Sequence, residues 1–156
     1  METSLKHMAW INQRIYQEVY QLPETVYGLT AAPGEWTVGR LVGHLLGASE
    51  WYRYCLDGIQ YGDLASIPDH ATNLRAQKLL AESDGTLIKH VADEDAIKEF
   101  NDENGPVQAT VSTILAQAVF HAAAHQGEIA TVLRQHGYEL NLDPLDVWSY
   151  AHNLKK

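Results

Sequence analysis

The sequence predicts an all-α protein, a four-helix bundle with a short C-terminal helix. Three observations carry that expectation. Four long segments repeat apolar residues every three or four positions, which is the helical period. The stretches between them are short or medium in length and rich in turn residues, which suits bundle packing. Of the 156 residues, 46% are hydrophobic and 20% are charged, the balance of a globular chain and not a disordered one. A chain of this length forms one domain over residues 1–156, large enough to bury a core without disulfides.

The first helix is expected from about Ser4 to about Leu22, with Leu5, Met8, Ile11, Ile15 and Val19 on one face. Pro23 kinks it or opens a second short helix, and Pro33-Gly34 marks a loop. Thr37 is an N-cap for a second helix that reaches about Leu56 and ends at Asp57-Gly58. Its apolar positions include Val38, Leu41, Val42, Leu45 and Ala48. A polar loop holding Pro68 and His70 runs to about Asn73. A third helix follows from about Leu74 to Val91, with Leu79, Leu80, Leu87 and Ile88 inward. Asn104-Gly105 is a tight-turn signal flanked by Ile97, Phe100 and Val107, which predicts a short irregular hairpin. The fourth helix runs from about Ala109 to His136 and closes on a left-handed Gly137. Pro144 begins a last short helix that uses Leu145 and Trp148.

Charge narrows the function classes. Twenty acidic residues oppose 11 Lys plus Arg, a net charge of −9. Nucleic-acid binding needs cations that displace phosphate counterions, and anionic lipid repels such a surface. No apolar run reaches the length of a membrane span, and no signal-peptide pattern opens the chain. Cys55 is the single cysteine, so no intramolecular disulfide forms and a cytoplasmic location is expected. No His or Lys lies within a turn of Cys55, which reads as a buried inert thiol. Eight histidines remain, so metal chemistry here would rest on imidazole and carboxylate.

The fourth helix concentrates that chemistry. Its apolar stripe comprises Val111, Ile114, Leu115, Ala118, Ala122, Ile129, Val132 and Leu133, and His121 and His125 fall inside it, one turn apart. Two imidazoles so spaced can supply two ligands to one ion. His44 borders the inward face of the second helix and could meet the pair across the bundle, leaving open positions for water or substrate. The alternative is three core histidines, each satisfied by an ordinary hydrogen bond. The string His121-Ala-Ala-Ala-His125 lacks the Glu that a zinc protease carries after its first His, so peptide hydrolysis of that type is not expected. His7, His152, His70, His90 and His136 read as terminal, loop or helix-end residues. Trp51, Tyr52 and Asn12 read as packing residues or as a pocket lining beside the imidazoles.

Three stretches in this order carry a family resemblance: Trp36-Thr-Val-Gly-Arg-Leu-Val-Gly-His44, His121-Ala-Ala-Ala-His125-Gln-Gly-Glu-Ile129 and Leu142-Asp-Pro-Leu-Asp-Val-Trp148-Ser-Tyr150. Together they resemble the DinB-like (DinB/YfiT) family of metal-binding four-helix bundles across almost the whole chain. The resemblance implies that His44, His121 and His125 form the metal triad, holding a divalent ion such as Zn, Ni or Fe. Glu128 stands where the family often has Gln. It is either a carboxylate that orients a ligand imidazole or approaches the ion, or a solvated acid on the helix flank.

The resemblance further implies a metal-dependent enzyme of the S-transferase or isomerase type, with a small-molecule substrate and a low-molecular-weight thiol as cosubstrate. A non-catalytic metal-binding or stress-response bundle is the alternative, and a plain structural bundle is a third reading. The opposite face of the fourth helix carries Ala116, Ala123, Ala124 and Gly127 beside Phe120. That face suits a homodimer contact, which the resemblance also implies, or cover by the hairpin or terminal segment of the same chain.

Overall fold

The computed structural model describes residues 1–62 and 64–153. Four long helices run α1 (Glu2–Gln21), α2 (Val38–Asp57), α3 (His70–Lys89) and α4 (Val111–Gln135). A hairpin of β1 (Ile97–Asp102) and β2 (Gly105–Thr110) precedes α4, and a short α5 (Val147–Asn153) closes the described chain. Both α1 and α2 pack against α3 and α4, so α1 and α2 lie on one diagonal of the bundle and α3 and α4 on the other. Among the described residues, no helix is long and apolar enough to cross a membrane.

Local chemistry sets the helix ends. Thr37, Asp69 and Thr110 each accept a hydrogen bond from the backbone N–H three residues on, at the starts of α2, α3 and α4. Gly58 and Gly137 take the left-handed conformation past the ends of α2 and α4, with φ of 68° and 82°. The segment before α3 lies directly on α2. Ile67 N donates to Gly39 O, and a Cβ at Gly39 would meet Ile67 O at 2.2 Å, so only glycine fits there.

Helix α3 departs from the sequence expectation. It begins at His70, four residues earlier, because Asp69 is the cap. Thus His70 and Asn73 are helical and not loop residues, and the His70 Nε2 bonds Leu22 O. Leu79, expected inward, is exposed. The buried face is Asn73, Ala76, Leu80, Ser83, Asp84 and Leu87. Apolar periodicity could not place it, because half of that stripe is polar. The helix ends at Lys89, and a 3-10 turn carries the chain over residues 90–92. The hairpin is regular, with six residue pairs from Ile97↔Thr110 to Asp102↔Gly105.

The remaining histidines mostly tie segments together. The His7 Nε2 sits 2.6 Å from Leu145 O, and the His136 Nε2 2.9 Å from Thr30 O. His90 bridges Asp57 and Asp93. Phe120 is 71% exposed, so neither the hairpin nor the terminal helix covers it.

Candidate metal centre

Helices α2 and α4 bring the three sequence-selected imidazoles together. The His44 and His121 Nε2 atoms lie 3.1 Å apart, and those of His121 and His125 lie 2.8 Å apart. All three residues offer ligand atoms within 4.8 Å of one another, and all three are half-buried. On α4 the convergence follows from the one-turn spacing. On α2 it follows from the packing of that helix against α4, which puts His44 level with His121.

The outer nitrogens explain why the inner ones converge. Glu128 Oε2 sits 2.6 Å from His125 Nδ1, so Nδ1–H donates and the Nε2 lone pair points inward. The Tyr52 hydroxyl oxygen lies 2.8 Å from His121 Nδ1, and when it accepts from Nδ1–H the His121 Nε2 lone pair points inward as well. The Trp36 indole walls the outside, edge-on to His44 and stacked over His125 at 5.9 Å. The Arg40 guanidinium covers the Trp36 ring at 4.3 Å. Glu128 is thus an acid on the exposed flank and a partner of His125 at once.

The donor set fits a divalent transition-metal ion. Three imidazole lone pairs facing one point repel unless a proton or cation lies among them. Zn–N bonds of about 2.05 Å at tetrahedral angles separate ligand nitrogens by roughly 3.3 Å, close to the spacings here. Burial and the neighbouring His125 and His121 rings hold the His44 pKa down at about 4. Burial, then His125, also lowers that of His121. The His44 and His121 rings therefore resist protonation, and neutral imidazole is the ligating form.

Two clefts flank the cluster. A cavity of about 660 Å³ adjoins His125 and Glu128, with Glu35, Trp36 and Thr131 in its wall. A second, of about 300 Å³, adjoins His44 and His121, with Gly47, Trp51 and Tyr61 in its wall. Tyr52 and Trp51 therefore border the site. Asn12 belongs to a buried polar layer beside the imidazoles and lines a small void with His121 and His125. Cys55 is buried, and burial pushes its thiol up to about 11.

Sequence reading missed that layer. Asn12 of α1, Ser49 of α2, Asp84 of α3 and Gln126 of α4 are all buried. Asn12 Nδ2 and Ser49 Oγ donate to the two Asp84 oxygens at 2.9 and 2.7 Å, and Gln126 Nε2 donates to Asn12 Oδ1 at 2.8 Å. A signal did exist: Asp84 stands at helical spacing between Leu80 and Leu87 on an inward stripe.

Comparison with known proteins agrees with the fold. No curated protein matches the chain significantly. The crystal structure of a DinB-like protein from Bacillus cereus ATCC 10987 superposes with a TM-score of 0.66 at 17% identity, covering 87% of this chain and 90% of that one. The profile of the DinB family matches residues 1–152, which spans every described helix of the bundle. This chain is a member of the DinB family.

Proposed function

We propose that His44, His121 and His125 hold a divalent metal ion, and that the chain catalyses transfer or isomerisation with a low-molecular-weight thiol. The observation that carries the metal reading is the set of three Nε2 atoms turned toward one point, two of them by partners on the far side of the ring. Imidazole suits Zn, Ni and Fe alike. When bound, such an ion favours a thiolate over a thiol and polarises a carbonyl or leaving group. Glu128 and Tyr52 fix the ring orientations, and Trp36 shields one side from water.

The thiol comes from solution in this reading, because Cys55 is buried and held protonated. Two clefts on different sides of the imidazoles suit two reactants. The test joins metal analysis of the purified protein, Zn²⁺ and Ni²⁺ titration, and conjugation assays pairing glutathione or cysteine with a panel of electrophiles. Stoichiometric metal with thiol-dependent turnover is expected. Metal with no turnover across the panel would favour the non-catalytic alternative, and no affinity for either ion would remove both. We also place a homodimer contact on the face of α4 that exposes Phe120. Light scattering of the protein and of Phe120→Glu tests it: a dimer that becomes a monomer is expected, and an unchanged mass would rule it out.

A further inference from the structure

Burying a carboxylate is costly unless something compensates it, and Asp84 is 1% exposed in the middle of the bundle. Its two oxygens accept from Asn12 and Ser49, and no lysine or arginine stands among the described residues around it. Packing does not explain the choice, since an amide or an apolar side chain would fill the same place without a charge. What Asp84 faces is more informative. Asp84, Ser49, Asn12, Tyr52, His121 and His125 border one internal void of about 10 Å³, the room of a single water molecule. The acid and two of the imidazoles therefore line the same small void. The titratable groups facing Asp84 are Tyr16 from α1, Tyr52 from α2, and His121 and His125 from α4.

We propose that Asp84 is the internal counter-charge of the three-histidine site, a positioning residue whose carboxylate balances a bound divalent cation across this void. Three neutral imidazoles leave the full charge of the ion uncompensated. Glu128 offsets it from the exposed side, where solvent screens, and Asp84 offsets it from the buried side, where solvent does not. Asn12 and Ser49 hold the carboxylate in place, and Gln126, next to His125 in the chain, holds Asn12. Without metal, burial raises the Asp84 pKa to about 6, against the pull of the Asn12 and Ser49 bonds. A cation beside it favours the ionised form, so metal uptake near that pH expels the proton.

The inference rests on the metal reading above, and calorimetry separates the two. Zn²⁺ is titrated into the metal-free full chain at about pH 6, in two buffers of different ionisation enthalpy, for the parent protein and for Asp84→Asn. The substitution keeps the hydrogen bonds if the amides of Asn12 and Gln126 reverse. The expected result is affinity weaker by about tenfold or more at low and at high salt. About half a proton fewer should be released per ion bound. Ser49→Ala is the second variant. Loss of one donor makes Asp84 more basic, so the pH at which uptake releases the extra proton should move upward. If the parent binds Zn²⁺ but Asp84→Asn matches it in affinity and proton count, Asp84 is only a structural acceptor and the proposal fails. If the parent binds no Zn²⁺, the metal reading fails and this inference falls with it.

Discussion

The histidine layer and the polar layer beside it are neighbours in the bundle and are built on opposite terms. In the first, three nitrogen acceptors face one another, half-open to solvent, with clefts on two sides. In the second, four buried side chains, one from each long helix, satisfy each other. The first is unbalanced without a ligand, and the second is closed in its hydrogen bonds. The comparison teaches where folding and binding energies reside. A closed polar layer specifies how four helices meet, because any slip leaves a buried donor or acceptor unpaired. An open one leaves its electrostatic imbalance available to a cation.

Removing a member from each layer should break this contrast most sharply. His125→Ala should abolish stoichiometric Zn²⁺ binding while leaving the helical circular dichroism unchanged. Parent-like binding in that variant would put the metal elsewhere. Asp84→Ala should lower the unfolding free energy of the metal-free protein by about 3 kcal/mol, because it strands the Asn12 and Ser49 donors in the core. A loss below about 1 kcal/mol in a urea titration would show that the layer is not a closed network.

Acid titration should set the two layers against each other. The folded pKa of Asp84 is raised from 3.8 to about 6, so its contribution is full below 3.8 and is lost as pH rises through 6, a swing of about 3 kcal/mol. His44 is lowered from 6.5 to about 4, so the unfolded chain takes up its proton first, and stability falls as pH drops from 6.5 toward 4. In the parent the two effects oppose each other over the same window. In metal-free Asp84→Asn only the histidine effect remains, and urea midpoints should fall more steeply between about pH 6.5 and pH 4.5. Equal slopes for the two proteins would contradict the assignment.

The smallest expected effect comes from the exposed edge. Glu128→Gln keeps an acceptor for His125 Nδ1 but removes its charge, so Zn²⁺ affinity should weaken by about tenfold. The unfolding free energy should move by less than about 0.5 kcal/mol, since the Glu128 side chain is 55% exposed. A large stability loss would mean that Glu128 supports the fold and not the ring.

Much of the fold was legible in local signals. Thr37 as a cap, Gly58 and Gly137 as helix ends, and the hairpin around Asn104-Gly105 each act within a few residues, so the chain declares them without its partners. Within the site, His121 and His125 were legible because helical geometry alone puts residues four apart on one face. His44 needed an assumption about how α2 meets α4. The start of α3 and its buried face were not legible. Leu79 is exposed and Asp84 is buried, against their hydropathy, because Asp84 finds partners on two other helices that no local pattern reveals.

Local chemistry thus set the existence of the four long helices, most of their ends, the pairing of two imidazoles and the reach of Glu128 to His125, because hydrogen bonding and side-chain period within one helix are short-range properties. Only the meeting of separate helices brings a third imidazole to them, sets Tyr52 against His121 and lets an acid from α3 share a void with them. These partners are far apart in the chain, 77 positions for His44 and His121 and 69 for Tyr52 and His121, and only the packing of whole helices sets their distance.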